Sequence, residues 1–389
     1  MKIGFLITYF YPKMGGAEAN CYYLARELAK KHEVHVFCSG EKESEEIIEG
    51  MQVHRSKELF RIKYYLAYYP SIISSLARHN LDILHVHGFG FMQHDKAVRI
   101  LRQKNPALKL VCTPHGPFMA LKKYSLLGSI FKNTYTPLIR KSLKYYDAII
   151  QVNPFQKKWL VAEYEVPSRK IHFVPNGVPA SAFNPVSAKT RAALRKKYDL
   201  DGRFVISYVG RIQKYKGLDQ VIKVMPSLVK ENPKIVFLAI GKDAGDKQRL
   251  QGLAEERGIT RNIIFAGEVS EIDKYALLDE SDVFVFPSEW EAFGIATLEA
   301  MARGNAVVSS ATEGGRYLIK EQVNGFLFPY GNLNLLRKSL LHLTRHAQLL
   351  RGMQRANISK AAQFTWEKIA PQLESIYQGL LAGKQNRQT

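Results

Sequence analysis

Two glutamates separated by seven residues lie in segment 287–308, PSEWEAFGIATLEAMARGNAVV. Glu291 is on a predicted strand-to-helix loop, where a carboxylate can accept hydrogen bonds from hydroxyl groups, and Glu299 is in the first turns of the following helix. The start of that helix offers unpaired main-chain N–H groups, which favour a bound phosphate. These groups belong to Gly294, Ile295, Ala296 and Thr297. Glu291 could instead be an exposed loop acid, and Glu299 could simply complement the helix dipole. Phe293-Gly294 beside Glu291 permits a ligand to approach the main chain closely, which favours a ligand site.

Two cations, Arg211 and Lys216, lie five residues apart in VGRIQKYKG, again between a predicted strand and a predicted helix. On such a turn they could straddle a diphosphate, the arginine through its planar fork and the lysine as a point charge. Solvated surface charge is the alternative, because the chain has many basic residues. Both remain candidate phosphate ligands.

Two glycines and a histidine mark strand ends in the N-terminal half. Gly15 and Gly16 in YPKMGGAEAN follow the first predicted strand and open a helix. They could let a phosphate approach the main chain, although a tight turn without a ligand explains them equally well. His115 in KLVCTPHGPF ends another strand, where parallel sheets bind ligands. We expect it to hydrogen-bond a substrate hydroxyl or to support a developing positive centre.

No metal site is expected from the histidines of the DILHVHG strand. His85 and His87 share one face of that strand, but no nearby cysteine or carboxylate completes a ligand set. The Asp199-Leu200-Asp201 sequence resembles a DxD metal motif, yet it lies in a basic segment between domains and is typical of a helix end.

Short apolar strands alternate with amphipathic helices along the chain, which indicates βαβ units and mostly parallel sheets. The chain has 389 residues, 46% of them hydrophobic, which leaves room for two cores. Pro, Ser and Asn interrupt the alternation in 178–202, so we expect a domain boundary there. The sequence predicts two Rossmann-like α/β domains, with the cleft between them as the default ligand site. Three scattered cysteines favour free thiols in a reducing compartment.

The net charge of +21 is unevenly distributed. Residues 51–200 carry 25 Lys and Arg against 7 Asp and Glu, whereas residues 251–300 carry 3 against 11. This asymmetry favours a polyanionic partner, which could be nucleic acid, a membrane surface or an anionic substrate. No segment is apolar enough to predict a membrane span, and the opening KIGFLITYF is interpreted as a buried strand rather than a signal sequence.

Basic and apolar side chains are interleaved in residues 117–146. Such a segment suits the interface of an anionic membrane, and a solvated basic helix packed by its apolar face explains it equally well. The candidate membrane or acceptor residues are Lys122, Lys123, Lys132, Arg140, Lys141 and Lys144.

In their order along the chain, these motifs resemble the retaining glycosyltransferases of the GT-B fold, glycosyltransferase family four or "glycosyl transferases group 1". The Glu291 to Glu299 element, with FG shortly after the first glutamate, resembles the family's strongest mark. VGRIQKYKG resembles its donor-phosphate loop, VPNGV (174–178) its hinge, and FTWEKIAPQLESIY (364–377) its last helix. The resemblance covers nearly the whole chain.

The resemblance implies an acceptor-side domain over 1–180, a donor-binding domain over 181–364, and a C-terminal helix, 365–389, that packs back on the first domain. It implies that Glu291 holds the donor sugar, that Glu299 binds the ribose, and that Arg211 and Lys216 grip the diphosphate. Further donor contacts follow from the same resemblance. They are Gly15, Gly16, His115, Gly267, Val269, Phe293 and the helix start at Gly294 to Thr297.

The implied activity is hexosyl transfer with retention from a UDP-sugar or GDP-mannose, without a metal or other cofactor. The acceptor would be a glycan, glycolipid or lipid-linked glycan, and the enzyme would be cytoplasmic and peripheral on the inner face of the membrane. A sugar-nucleotide epimerase and a soluble polysaccharide synthase are the nearer alternatives. A basic nucleic-acid-binding protein is a remote one, because no recognised module is present. Pro179 and Leu318 depart from the pattern, since acids are usual at both positions.

Overall fold

The computed structural model describes residues 1–63, 66–119 and 126–385. The chain divides into two compact units. The first comprises Met1–Gly177 together with Trp366–Thr389, and the second comprises Val178–Thr365. The second unit thus begins within the segment 178–202, three residues before the boundary expected from the sequence.

The first unit is built on one large sheet. Its strands are β1 (Lys2–Leu6), β2 (Glu33–Gly40), β3 (Ser44–Ile48), β4 (Met51–Lys57), β7 (Ile83–His87), β8 (Lys109–Thr113), β9 (Ala148–Gln151) and β10 (Ile171–Phe173), with a separate hairpin of β5 (Phe60–Lys63) and β6 (Leu66–Tyr68). The order is β10-β9-β8-β7-β1-β2-β4-β3, and all neighbours are parallel except β3 and β4. The helices are α1 (Gly16–Ala29), α2 (Ser71–Arg78), α3 (Met92–Lys104), α4 (Leu126–Leu143) and α5 (Gln156–Ala162).

The second unit has a fully parallel sheet. Its strands are β11 (Phe204–Val209), β12 (Ile235–Ile240), β13 (Ile263–Gly267), β14 (Val283–Phe286), β15 (Ala306–Ser310) and β16 (Gly325–Phe328), in the order β13-β12-β11-β14-β15-β16. The helices are α6 (Ala188–Lys197), α7 (Leu218–Glu231), α8 (Lys247–Glu256), α9 (Glu271–Asp279), α10 (Ile295–Ala302), α11 (Glu313–Leu318), α12 (Leu333–Arg345) and α13 (Ala347–Ala361).

The sequence pattern explains the layers of the second unit. Every residue of β12, IVFLAI, is buried, as expected of a central parallel strand covered on both faces. α7 buries Leu218, Val221, Met225 and Leu228 at helical spacing and so packs one apolar face against the sheet. Hydrophobic periodicity alone therefore predicts both the strand and its covering helix.

The strand order creates a switch point in each sheet. In the second unit the chain runs outward from β11 through β12 to β13 and then returns to the other side of β11 with β14. In the first unit the same reversal separates β1 from β7. At such a point the loops that follow two neighbouring strands diverge, which leaves a crevice at their carboxyl ends where open α/β sheets bind ligands.

The last helix, α14 (Trp366–Gln385), belongs to the first unit. Its Trp366 is fully buried, and the indole stacks on Tyr23 of α1 with ring centroids 5.6 Å apart. Its Tyr377, also fully buried, is hydrogen-bonded through the hydroxyl to His85 Nδ1 at 2.5 Å. These aromatic contacts secure the C-terminal segment to a domain that begins at residue 1.

Two further expectations from the sequence concern the cysteines and the possibility of a membrane-spanning helix. The three cysteines are buried free thiols. Among the residues that the structure describes, no helix combines the length and apolar character needed to cross a bilayer.

We predict that Trp366→Ala destabilises the first unit by about 3–5 kcal/mol, because it removes a fully buried indole and leaves a cavity under α14. Urea unfolding followed by circular dichroism measures the change. The matched control is Phe173→Ala, since that ring is 40% exposed and should cost far less. Equal losses in the two variants would contradict the packing role of α14.

Candidate active site

An ion pair joins the two loops at the switch point of the second unit. Lys216 Nζ donates to Glu291 Oε1, and their side chains are only 12% and 15% exposed. Lys216 follows β11 and Glu291 follows β14, the two strands between which the sheet order reverses. The structure therefore brings together two predicted site residues that are separated by 75 positions.

The surroundings keep Lys216 charged. Burial alone would lower its pKa, but the Glu291 carboxylate and Tyr215 outweigh burial and raise the pKa above its usual value. The ammonium also lies 4.8 Å from the ring centroid of Tyr215 and 5.5 Å from that of Phe286, within cation–π range. Beneath it, burial and then the Glu291 charge raise the pKa of Tyr208 well above its ordinary value, so this phenol stays neutral.

Glycines allow the two loops to approach each other. Gly217 has a φ of +69° and begins α7, and a Cβ at this position would lie 2.2 Å from the Pro287 carbonyl oxygen. The Glu289 main-chain N–H donates to the Tyr215 carbonyl at 2.8 Å, which fastens the loops to each other. Only a residue without a side chain fits between them.

A second glycine contact supports the loop that carries Glu291. The Gly314 N–H donates to the Glu291 carbonyl at 3.1 Å, and a Cβ on Gly314 would lie 2.2 Å from the Phe293 carbonyl oxygen. Sequence reasoning noted the departure at Leu318, whose side chain is fully buried in the core. It did not consider the preceding pair Gly314-Gly315, which was the available signal for close packing of the main chain.

Arg211 lies apart from the ion pair. Its side chain is exposed, with Nη2 3.5 Å from the Tyr215 hydroxyl, while its carbonyl accepts a hydrogen bond from Tyr208 at 3.0 Å. The guanidinium is therefore placed at the surface beside the Lys216 turn, where an incoming anion can reach it.

The other glutamate also pairs with a lysine. Glu299 Oε1 accepts from Lys274 Nζ of α9 at 2.7 Å, with 14% and 18% of the side chains exposed. Sequence reasoning missed Lys274, since nothing in its spacing relates α9 to α10. The pairing places a lysine next to the carboxylate expected to hold a ribose.

The start of α10 follows directly on the loop that carries Glu291. Its N-cap Gly294 has a φ of +87° and, among the described residues, no side chain caps the helix. Ile295 and Ala296 are partly exposed, whereas Thr297 is 2% exposed. Phe293 is also 2% exposed and packs near Tyr317, so its side chain anchors the loop and leaves only its main chain for a ligand.

Gly267 and Val269 lie at the end of the edge strand β13. Gly267 has a φ of +75° and open space around its Cα, and its carbonyl accepts from the Gly241 N–H at 2.8 Å. Val269 is partly exposed in the following turn. The turn is thus accessible at the carboxyl edge of the same sheet.

In the first unit, three imidazoles line up at the strand ends near the switch point. His85 and His87 stack at 4.6 Å between centroids, and His87 Nδ1 lies 2.9 Å from His115 Nε2. His85 also uses Nε2 to contact the Thr113 hydroxyl at 2.7 Å, so with Tyr377 both of its nitrogens have hydroxyl partners. This arrangement agrees with the expectation that His85 and His87 share a face, and it leaves His85 without a nitrogen for a metal.

Burial keeps these imidazoles neutral. It lowers the pKa of His115 to about 3, and burial together with the nearby His115 lowers the pKa of His85 to about 3. The pKa of His87 is lowered well below its usual value for the same reason. His115 has a φ of +61°, which turns the chain sharply at the end of β8. A neutral ring suits hydrogen bonding to a hydroxyl rather than electrostatic attraction.

Gly15 and Gly16 lie at the start of α1, after β1. Gly15 is the N-cap in an extended conformation without a side-chain cap among the described residues, and both glycines are exposed. A Cβ on Gly16 would have nothing within 4 Å, whereas one on Gly15 would lie 2.7 Å from Glu18 Oε2. The helix start is therefore accessible to a ligand.

The candidate membrane residues differ in their contacts and in their exposure to solvent. Lys122 and Lys123 lie outside the described residues. Arg140 is held by the Glu163 carbonyl at 2.8 Å and by Glu165 at 3.0 Å, and Lys132 contacts the Met119 carbonyl at 3.4 Å. Lys141 and Lys144 are exposed.

Known proteins resemble both units. Residues 14–182 match the family model "Glycosyltransferase Family 4", and residues 190–363 match "Glycosyl transferases group 1". The chain belongs to glycosyltransferase family 4. Phosphatidyl-myo-inositol mannosyltransferase of Mycolicibacterium smegmatis is 23% identical over 97% of this chain and 94% of its own length. Two other curated relatives are matched over only about half of their own length.

Solved structures share the fold. Sucrose-phosphate synthase of Thermosynechococcus elongatus superposes with a TM-score of 0.84 at 20% identity, covering 98% of this chain and 99% of that chain. HepE of Anabaena in complex with UDP-glucose gives a TM-score of 0.77 at 19% identity, covering 97% and 100%. The predicted GT-B fold and family are thus confirmed, and the chain is a glycosyltransferase.

The buried histidines predict how stability depends on pH. Because the pKa of His115 is about 3 in the folded state and about 6.5 when unfolded, its stabilising contribution is full above pH 6.5 and is lost as the pH falls toward 3. Asn tolerates the left-handed backbone, so His115→Asn should fold. We expect its free energy of unfolding to fall less steeply below pH 6.5, by up to about 1.4 kcal/mol per pH unit.

Urea titrations at pH 7, 6, 5 and 4 measure this slope. The exposed His342→Asn serves as control and should retain the wild-type slope. Superimposable pH profiles for wild type and His115→Asn would show that His115 titrates equally in both states.

Proposed function

We propose that this glycosyltransferase moves a hexosyl group with retention from a nucleotide diphospho-sugar to a glycan, glycolipid or lipid-linked acceptor. The observation that carries the proposal is the buried Lys216–Glu291 pair at the switch point of the second unit. The lysine can bind the diphosphate of a sugar donor, and the carboxylate beside it can accept hydrogen bonds from the hydroxyl groups of the sugar.

A bound diphosphate would compete for the Lys216 ammonium. In the structure this ammonium donates to Glu291. A phosphate oxygen near Lys216 would share that charge and leave Glu291 oxygens able to accept hydrogen bonds from sugar hydroxyls. Exposed Arg211 and the uncapped N-terminus of α10 would add stabilisation as negative charge grows on the leaving group.

The transfer step balances without a covalent enzyme intermediate. The bond between the anomeric carbon and the diphosphate oxygen breaks, and a bond from that carbon to the acceptor oxygen forms on the same face. The acceptor proton passes to a phosphate oxygen of the departing nucleoside diphosphate. The protein orients the reactants and stabilises the leaving group. Since Lys216 and Arg211 supply positive charge there, we propose that no metal takes part in this step.

UDP-sugars are the first donors to test, because the structurally similar HepE was crystallised with UDP-glucose. GDP-mannose is the second, since one relative is named a mannosyltransferase. Glu299 with Lys274 would hold the ribose, and the turn at Gly267 and Val269 would line the base. On the first unit, Gly16 would approach the phosphates and neutral His115 would hydrogen-bond the sugar.

The acceptor is proposed to reach the enzyme at an anionic membrane surface. Along α4, Ile130 and Leu138 are each 52% exposed, and Lys141 and Lys144 are exposed near the helix end. Exposed apolar and basic side chains on one helix suit a lipid interface. We therefore propose a cytoplasmic enzyme peripheral on the inner face of the membrane. Phe118, an apolar residue at the start of segment 117–146, is 1% exposed and therefore belongs to the core and not to this surface.

We predict that Glu291→Gln lowers the turnover number for transfer by about 10²-fold or more, because the amide has no charge to orient the sugar hydroxyls or to balance Lys216. Release of nucleoside diphosphate from a donor first identified in a thermal-shift panel of nucleotide sugars measures it. Glu289→Gln on the same loop is the matched control. Turnover in Glu291→Gln equal to that of the control would remove the site assignment, and a panel without any shift would argue against the donor class.

We predict that Lys141→Glu with Lys144→Glu weakens binding to vesicles rich in anionic lipid, by about 1 kcal/mol for each lysine near the surface, and more at low salt. Cosedimentation at several salt concentrations measures the binding. Lys157→Glu with Lys158→Glu makes the same charge change on exposed residues of α5 and is the control. Equal weakening in both pairs would mean that net charge, not α4, determines binding.

A further inference from the structure

Three histidines converge on the first unit away from the candidate active site. They are His35 on β2, His54 on β4 and His79 directly after α2. One ring nitrogen of each lies within 4.8 Å of one nitrogen of each of the others. His35 is near the amino end of β2, whereas His115 and Gly16 follow the carboxyl ends of their strands. The cluster is thus at the opposite edge of the sheet from the proposed ligand site.

In each of the three rings, one nitrogen, called the outer nitrogen below, is hydrogen-bonded to a carboxylate or carbonyl oxygen. His35 Nε2 lies 2.9 Å from Glu33 Oε1, and His54 Nδ1 lies 3.1 Å from Glu45 Oε1. Because an ionised carboxylate only accepts, both of these nitrogens carry the proton. His79 Nδ1 lies 2.8 Å from the Ser75 carbonyl oxygen, which also only accepts. Each neutral ring therefore keeps its lone pair on the remaining nitrogen.

The other nitrogens of His35 and His54 face each other without a proton between them. His35 Nδ1 and His54 Nε2 are 2.9 Å apart, so two lone pairs face each other. A cation bound by both nitrogens resolves this contact. Carboxylates and carbonyls on the outer nitrogens are also the usual second-shell partners of metal-bound histidines.

We propose that His35, His54 and His79 bind a divalent first-row transition metal ion, zinc in the first instance, which would link the end of α2 to β2 and β4. Three neutral imidazoles are ligands that zinc accepts, with a fourth position left for water. The aromatic ring of buried Phe37, 4.8 Å from that of His54 and 5.3 Å from that of His79, walls the site on one side. The sequence does not reveal it, because the three histidines lie on three elements with no shared spacing.

The test is a titration of the chelator-stripped full chain with Zn²⁺ alone, in competition with a coloured chelator. We expect about one tightly bound zinc per chain and a higher unfolding temperature when zinc is present. His79→Gln, at a half-buried position, should abolish tight binding. Glu45→Gln leaves all three ligands in place and, with Glu45 71% exposed, should fold normally. It should weaken binding about 10- to 100-fold.

The control is His342→Gln with His346→Gln, which removes an exposed histidine pair with centroids 4.1 Å apart that could collect ions adventitiously. It should bind zinc like the wild type. The proposal is overturned if the wild type binds no zinc, if the control loses the binding, or if Glu45→Gln and His79→Gln retain wild-type affinity. Should His79→Gln fail to fold, Glu45→Gln decides alone. None of these readouts uses a nucleotide sugar, so the result is independent of the proposed function.

Discussion

The constraint on which the second unit depends is that a buried charge needs a partner. Lys216 and Glu291 are both largely withdrawn from water, and neither would be tolerated there without the other. Their pairing requires the loops after β11 and β14 to meet, which the reversal of strand order makes possible. The close approach of the loops also requires glycine at positions 217 and 314, because a Cβ at either position would collide with a carbonyl oxygen of a neighbouring loop.

The two units differ in the charge of the groups near the ends of their strands. The second places ionised pairs at its strand ends, Lys216 with Glu291 and, one helix along, Lys274 with Glu299. The first places neutral groups there, because burial holds His85 and His115 uncharged while hydroxyls and other rings satisfy them.

Sequence reasoning predicted the features that short-range patterns determine. Buried strands such as β12, amphipathic helices such as α7, and the family motif around Glu291 are all local, so periodicity and spacing were sufficient. Contacts across many residues were not predictable. Nothing in the spacing related Lys274 to Glu299, or indicated that Phe293 would turn into the core while its neighbour Gly294 opens a helix. Those outcomes depend on which elements the tertiary fold makes adjacent.

The return of α14 to the first unit has a consequence for biosynthesis. Trp366 and Tyr377 contact Tyr23 and His85, which lie before residue 178, so 188 intervening residues leave the ribosome before these contacts can form. The second unit is continuous and can fold as soon as it has emerged, in keeping with the folding of domains as units during synthesis. The first unit, although its synthesis begins first, is therefore completed only after the second unit has been made.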